Sequence, residues 1–222
     1  RAWQRLLTRE VNNRPWLVHV ETWNELHEGT DICQSREYGR KYIDLTREFA
    51  DQFHAGQKLD RSVLRSARRV ATASPGKFDG LSIVPKADGD GPVVEKTVDG
   101  RLAWRTTQNK HSPTSRYLYF DVDDAFLFDT DEPVELTVTY QDAGPAEFRV
   151  DYDSSDPQLE GLLQQFRPGP NQLIKGTGQW QEARFVLPHA RFAGRSNGAD
   201  FRFAAADKDL VIGSVSVRLL EK

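Results

Sequence analysis

The chain has 222 residues, of which 38% are hydrophobic and 10% aromatic, enough for one or two globular domains with a sizeable core. Its 30 basic and 33 acidic side chains give a net charge of −3, which argues against nucleic acid and membrane surfaces as partners. A single cysteine excludes an internal disulfide, and no apolar run reaches the roughly 18 residues of a membrane span. Because the chain contains no methionine, we expect Arg1 not to be a natural start and the chain to be part of a longer protein.

Residues 1–60 have the pattern of a helix, a strand and a second helix. Apolar residues recur at helical spacing through Trp3–Val11, and Trp16–Trp23 is apolar on both parities, as in a strand buried on both faces. Ser35 is a good N-cap for the second helix, and Gly56 is suited to follow its end. The pattern predicts a helix–strand–helix remnant of a (β/α)8 TIM barrel, which needs about eight such units.

Residues 61–74 are expected to be a linker, and from residue 75 the pattern changes to short alternating runs separated by turn residues. This pattern predicts a mainly β chain with an antiparallel jelly-roll β-sandwich over 75–222. Asp88–Gly91 and Asp99-Gly100 have the composition of hairpin turns. The predicted strands are Leu81–Val84, Val93–Val98, Leu102–Thr106, Tyr117–Val122, Val134–Tyr140, Glu147–Tyr152, Trp180–Leu187, Asp200–Ala204 and Leu210–Leu219.

The end of the predicted strand in the first half carries a cluster of carboxylates. Glu21 and Glu25 share a face but lie about 13 Å apart on an extended strand, at roughly 3.3 Å per residue. Glycosidases that use two carboxylates place them about 5 to 9.5 Å apart. Glu25 and Glu28 are separated by a turn that Gly29 can relieve, so they fall within that range. We therefore predict Glu28 and Glu25 as the catalytic pair.

Neighbouring polar residues favour a sugar site. Trp23, Asn24 and His27 are the predicted substrate-binding residues, with Asn24 placed to hold a sugar hydroxyl. Two alternatives stay open: a polar loop that merely caps the following helix, and a metal site of His27, Glu28 and Asp31, whose spacing matches no strong template. We expect no metal and no cofactor.

Residues Thr22-Trp-Asn-Glu-Leu-His-Glu-Gly-Thr-Asp-Ile32, with Ser35–Gly39 after them, resemble the end of the barrel in endo-α-mannosidase-like glycoside hydrolases. That family carries a Trp-Asn-Glu-Trp-His-Glu-Gly-Thr pattern followed by a Glu-Tyr-Gly helix start. The resemblance implies that Glu28 is the general acid/base and that Glu25 assists attack by the sugar's own 2-hydroxyl. The chain departs from the pattern at Leu26, where the family usually has tryptophan.

The second half resembles the C-terminal sandwich of many bacterial glycoside hydrolases, which is similar to carbohydrate-binding modules. The resemblance rests on Val150–Asp156, Gly176–Trp180 and Leu187–Arg202, with His189 in place of a common aspartate.

The aromatic rings available for binding in the second half are Trp104, Tyr117, Tyr119, Tyr152, Phe166 and Trp180. Most of them, Trp180 among them, are predicted to lie in the core. We expect Tyr152 and Phe166, which flank a long excursion between predicted strands, to be exposed and to bind sugar. The acidic residues of Asp151–Asp156 are interpreted as solvated turn residues, with calcium as the alternative. The arginines of 191–202 are expected to brace the final hairpin by mutual ion pairing with Asp200.

Two functions follow from these features. The first is the C-terminal portion of a bacterial glycoside hydrolase acting on an α-linked glycan, in which this chain alone has little or no activity. The alternative is a non-catalytic carbohydrate-binding or structural module whose first half only packs. In both cases the expected partners are a glycan and an upstream barrel portion, with no nucleic acid and no membrane. The expected location is extracellular or periplasmic. We also expect the isolated chain to expose apolar surface around Trp16–Val20 and to associate.

Overall fold

A computed structural model of the chain describes residues 2–20, 23–24, 32–36, 38–60, 63, 68–86 and 88–220. The chain divides into two compact units, 1–65 and 66–222. In the described residues, no helix has the length and apolar character needed to cross a membrane.

The described residues of the first unit contain two helices, α1 (Ala2–Leu7) and α2 (Lys41–His54), and a short 3₁₀ turn at Val11–Asn13. The helices meet through aromatic rings, because Trp3 of α1 stacks on Phe49 of α2 at a centroid distance of 6.2 Å. Leu7 is fully buried beside them. Arg14 ties the unit together, since its guanidinium donates to the carbonyl oxygens of Leu7 (2.8 Å) and Gln57 (2.7 Å).

The predicted barrel strand is not present in the described part of the first unit. Residues 16–20 are irregular, and Trp16 and Leu17 are 90% and 62% exposed. The expectation of exposed apolar surface there is therefore confirmed, whereas the expectation of a strand over 16–20 is wrong. A barrel remnant is not shown.

The second helix begins later than predicted. Gly39 has a φ of +57°, a conformation that interrupts a right-handed helix, so α2 starts at Lys41. The Ser35 hydroxyl accepts the amide hydrogen of Tyr38 (3.1 Å) and caps the preceding turn instead of α2. Gly56 follows the helix end with a φ of +65°, as predicted.

The second unit is an antiparallel β-sandwich. One sheet has seven strands in the order β10-β7-β12-β1-β2, with β5 also paired to β12 and β4 paired to β5; the other has five strands in the order β3-β6-β11-β8-β9. The strands are β1 (Val70–Ser74), β2 (Lys77–Asp79), β3 (Leu81–Ile83), β4 (Val93–Val98), β5 (Arg101–Thr106), β6 (Ser115–Val122), β7 (Glu132–Gln141), β8 (Glu147–Tyr152), β9 (Arg167–Leu173), β10 (Trp180–Ala190), β11 (Phe201–Ala206) and β12 (Val211–Leu219). A short helix, α3 (Leu162–Gln165), precedes β9. The predicted antiparallel sandwich is confirmed.

The core lies between the two sheets and is rich in aromatic rings. Phe185 of the seven-stranded sheet contacts Phe148 and Phe203 of the five-stranded sheet at centroid distances of 6.0 and 6.5 Å. Trp104 is fully buried and meets Phe120 edge-on at 5.6 Å, so its predicted place in the core is confirmed. Such edge-to-face contacts are the preferred geometry of aromatic pairs.

Several sequence expectations for the sandwich need correction. Val70–Ser74, assigned to the linker, forms β1 beside β12. Trp180 is half-buried on the outer face, where its ring lies against Gly213. It faces outward because it lies three residues before Ala183 and five before Phe185, which are both buried, and side chains alternate along a strand. Asp99-Gly100 does form the β4–β5 hairpin turn, with positive φ at both residues.

Candidate functional site

The acidic motif of the first unit lies largely outside the described residues. Glu25, His27 and Glu28 are among the residues that the structure does not describe, so their predicted roles stay predictions. Trp23 and Asn24 are described and exposed, Trp23 by 60%. The Trp23 carbonyl oxygen accepts the Cys33 amide hydrogen at 2.9 Å, which fixes the backbone at that point.

Tyr152 does not lie on the surface. It is 1% exposed and pairs with Phe201 across β8 and β11, with its ring facing the core. Its hydroxyl donates to the carbonyl oxygen of Pro188 (2.9 Å), and burial raises the pKa of this phenol to about 12. The expectation that Tyr152 is an exposed sugar-binding ring is therefore wrong, since the alternation of β8 directs it inward.

Phe166 is half-buried and covers Arg202 on the outer face of the five-stranded sheet. The Arg202 guanidinium lies 4.4 Å from the Phe166 ring centroid and 3.8 Å from the Tyr117 ring centroid, so it is held between two aromatic rings. It also pairs with Asp151 (3.0 Å) and donates to the Tyr119 hydroxyl (2.8 Å). Arg202 is consequently a fixed part of this surface, with its side chain only 14% exposed.

The acidic residues of Asp151–Asp156 are buried and each is paired with an arginine. Asp153 meets Arg195 at 2.6 Å, and Asp156 meets Arg167 at 2.9 Å. These contacts correct the interpretation of the aspartates as solvated turn residues. Within the described part of the chain, no group of three or more His, Cys, Asp and Glu side chains is arranged to hold a metal ion. The arginines of 191–202 do brace the fold, but chiefly through this acidic segment instead of through Asp200.

A groove of about 220 Å³ runs along the outer face of the five-stranded sheet. Its floor is formed by the outward-facing alanines of β11, Ala204 and Ala206, where small side chains leave a channel between β6 and β8. Strand spacing places those two flanking strands roughly 10 Å apart. We call this feature the alanine groove; it is lined by Ser115, Tyr117, Glu147, Phe148, Arg149, Asn171, Ala204, Ala205 and Ala206.

The two walls of the alanine groove differ in chemistry. Tyr117, opposite Ala204, supplies a half-buried ring on the β6 side. Arg149 lies opposite Ala204 on the β8 side, and Asn171 follows it on β9. Arg149 Nε donates to Asp151 (2.7 Å), and the Asn171 amide donates to Glu147 (2.9 Å). One wall is thus aromatic and the other carries fixed donors and acceptors.

The charges around the alanine groove balance. Arg149 and Arg202 share the buried carboxylate of Asp151, and the exposed Glu147 supplies a second negative charge. Balanced charge does not attract an ionic ligand over a distance, so the surface suits a neutral polar one.

The loop before β4 supports the aromatic wall from behind. Asp90 accepts hydrogen bonds from the Tyr119 hydroxyl (2.7 Å) and from the side-chain amides of Asn109 (2.5 Å) and Asn197 (3.0 Å). Burial raises the pKa of Tyr119 to about 12, so this phenol remains a neutral donor at physiological pH. The loop approaches closely because Gly91 has no side chain; a Cβ there would lie 3.0 Å from the Tyr117 carbonyl oxygen.

Asp88–Gly91, predicted as a hairpin turn, instead joins strands of different sheets.

A second groove, of about 620 Å³, lies on the outer face of the seven-stranded sheet. Its lining includes six serine and threonine residues, and its one aromatic lining residue is Phe78. Phe78 pairs with the buried Ala73 and therefore shares its inward-facing parity, stacking on Trp104 at 6.2 Å. The Phe78 ring is thus turned toward the core, whereas Tyr117 stands on the outer face across the alanine groove from Arg149.

The residues that form the alanine groove were not singled out from sequence, apart from Tyr117 as one of several available rings. The signal available in the sequence was parity: in β8, Phe148, Val150 and Tyr152 share one face, so Arg149 must lie on the other. Small residues at outward positions, such as Ala204, give no chemical signal of their own. Only the strand order places them between a ring and an arginine.

Comparisons with known proteins match one family model and several solved structures. Residues 1–62 match a family model described as a domain of unknown function (DUF5010). No curated protein matches the chain. Solved structures similar to it include the K1 cleaved adhesin domain of Lys-gingipain from Porphyromonas gingivalis W83, at 12% identity and a TM-score of 0.43, with 69% of this chain and 100% of that one covered.

Two further similar structures are carbohydrate-binding modules. The CBM22-1 xylan-binding domain of Paenibacillus barcinonensis Xyn10C has 10% identity and a TM-score of 0.41, with 71% of this chain and 98% of that one covered. A family 35 module from Clostridium thermocellum has 14% identity and a TM-score of 0.38, with 68% and 98% covered.

Proposed function

We propose that the sandwich unit is a non-catalytic carbohydrate-binding module and that the alanine groove is its binding site. The observation that supports this most strongly is the placement of the Tyr117 ring opposite Arg149, Glu147 and Asn171 across a floor of alanines. The resemblance of 150–202 to the C-terminal sandwiches of bacterial glycoside hydrolases agrees with it. An extracellular or periplasmic location is part of the same proposal.

The chemistry of a sugar fits both walls. A pyranose ring has an apolar face of C–H groups, which lies favourably against an aromatic ring such as Tyr117. Each sugar hydroxyl is both a donor and an acceptor, and it therefore needs both types of partner beside it. Arg149 supplies donors, Glu147 supplies an acceptor, and Asn171 supplies both. Since these side chains already hold one another by hydrogen bonds, little ordering is needed when the ligand binds.

The test is a binding assay on the full chain. Cello-, xylo-, manno- and malto-oligosaccharides are titrated into the wild type and into Arg149→Ala by isothermal calorimetry. A hydrogen bond to a charged group contributes about 1.5–3 kcal/mol, so removing Arg149 should weaken binding about 10- to 100-fold. A second variant, Ala204→Leu, fills the floor of the groove and should abolish binding.

Two matched controls lie on the opposite sheet. Arg184 is a surface arginine that pairs with a carboxylate two residues away on its own strand, as Arg149 does. Ser216 is a small outward-facing residue of a central strand, as Ala204 is. Arg184→Ala and Ser216→Leu should bind sugar like the wild type. Absence of binding to every oligosaccharide, or equal loss in variants and controls, would refute the proposal.

Hydrolysis of an α-linked glycan by a larger protein containing this chain is a separate hypothesis. Its support is the sequence motif around Glu25 and Glu28 alone. It is tested by incubating α-linked aryl glycosides and oligomannosides with the protein and with its Glu28→Gln variant. Turnover that disappears in the variant would support the acid/base role of Glu28, and turnover that is unchanged would exclude it.

A further inference from the structure

The alanine groove is closed at one end and open at the other. Along β11 the outward-facing residues are Arg202, Ala204 and Ala206 in succession, so the floor is interrupted where Arg202 begins. The Arg202 guanidinium occupies the space above the sheet there, and Phe166 covers it. Four contacts hold the Arg202 guanidinium in place: two with aromatic rings, one with a carboxylate and one with a phenol hydroxyl.

The opposite end of the alanine groove opens to solvent. Ala206 is the last residue of β11 and is exposed. Glu147 is the first residue of β8 and is also exposed, and its partner Leu173 is 64% exposed. No described residue that lines the groove lies beyond Ala206 along β11. A chain that lies along the strands in the groove can therefore continue past Ala206 but is stopped at Arg202.

Side chains flank the alanine groove along both of its edges. Tyr117 and Ser115 stand along one side, and Arg149, Glu147 and Asn171 along the other. The volume of about 220 Å³ is also smaller than the roughly 300–1,000 Å³ typical of pockets for drug-sized ligands, so it holds a short piece of a chain.

We propose that the alanine groove recognises the terminal unit of a neutral glycan chain and does not bind the interior of a polymer. This proposal rests on the proposed carbohydrate-binding function. The terminal sugar lies between Tyr117 and Arg149 and abuts Arg202, while the rest of the chain leaves past Ala206 into solvent. An internal sugar unit of a chain lying along the strands does not fit, because that chain would have to continue where Arg202 and Phe166 stand.

The experiment compares chain ends with chain length in the full protein. Calorimetry first measures association with cello-, xylo-, manno- and malto-oligosaccharides of increasing length. The polysaccharide of the series that binds is then tested intact and after partial endo-hydrolysis, which multiplies the ends at constant mass. We expect the association constant per mole of oligosaccharide to level off after the first few units. We also expect the amount of protein bound per gram of polymer to rise in proportion to the number of ends.

The outcomes separate this proposal from the one on which it rests. If no oligosaccharide binds, the carbohydrate-binding function itself fails. If oligosaccharides bind but capacity per gram is unchanged by endo-hydrolysis and affinity keeps rising with length, the end-recognition proposal is overturned and the binding function stands. The variant Ala206→Leu gives a second test, because it places a larger side chain where the bound chain leaves the groove. It should weaken oligosaccharide binding at least tenfold more than binding of the methyl monosaccharide. Equal weakening of both would contradict the proposal that the chain leaves past Ala206.

Discussion

Asp200 is a buried carboxyl whose titration should control the pH dependence of the stability of the sandwich. Its side chain is 1% exposed, and its two oxygens accept the amide hydrogens of Gly194 and Val122, both at 2.9 Å. It thereby joins the 191–199 loop to the end of β6. Burial raises the pKa of Asp200 to about 8, and the nearby carboxylates of Asp121 and Asp153 add to the rise. The two backbone donors favour the charged form but are outweighed.

The sign of the effect follows from proton linkage. In the unfolded chain an aspartate has a pKa of about 3.9, so between about pH 4 and pH 8 the folded protein keeps a proton that the unfolded chain has lost. The contribution of Asp200 to stability is therefore fully present at low pH and is lost as the pH rises. The loss amounts to about 1.4 kcal/mol per pH unit within this window, or about 3 kcal/mol between pH 5 and pH 7.

The substitution Asp200→Asn removes this titration. The asparagine amide must direct its NH₂ group toward one of the two backbone donors, which is unfavourable by an amount that does not depend on pH. Urea unfolding of both proteins, followed by far-UV circular dichroism, gives the free energy of unfolding of the wild type minus that of the variant at each pH. This difference should fall by about 1.4 kcal/mol per unit from pH 5 to pH 7. A difference that is flat across this range would refute the reasoning.

A direct measurement keeps the prediction testable if Asp200→Asn does not fold. The carboxyl ¹³C shift of Asp200 in the wild type should titrate with a midpoint near pH 8. A midpoint in the ordinary aspartate range near 3.9 would show that the two backbone donors dominate over burial.

Two further predictions concern packing. Phe203→Ala removes a fully buried ring and should lower the free energy of unfolding in urea by about 3–5 kcal/mol. Phe78→Ala removes a ring that is 51% exposed and should lower it by less than half as much. Equal losses of stability in the two variants would contradict the assignment of the core. Gly144→Ala would place a Cβ against the Asp209 carbonyl oxygen and should destabilise well beyond the cost of about 1–2 kcal/mol for a positive φ. Gly100→Ala, also at positive φ but with nothing within 4 Å, should show that cost alone, and identical melting temperatures for the two variants would refute the clash.

Much of the sandwich was predictable because its strands alternate. The predicted bounds of β4 (Val93–Val98) and β8 (Glu147–Tyr152) agree with the structure to the residue. β9 was not predicted, because Pro168 and Pro170 argue against a strand; they are tolerated since β9 lies at the edge of its sheet. β1 was missed for a different reason. Its inward residues are alanines, which carry little strand signal although they are almost fully buried.

The position of the candidate site was harder to predict than the fold, because it depends on register as well as on alternation. Tyr152 was selected as a binding residue for its ring, but the pairing of Tyr152 with Phe201 turns that ring into the core. The same register puts Arg149 opposite Ala204, on the outer face, and Ala204 opposite Tyr117. The alternation of β8 gives the face on which Arg149 lies, but the residues opposite it are set by the strand register, which no local sequence pattern encodes.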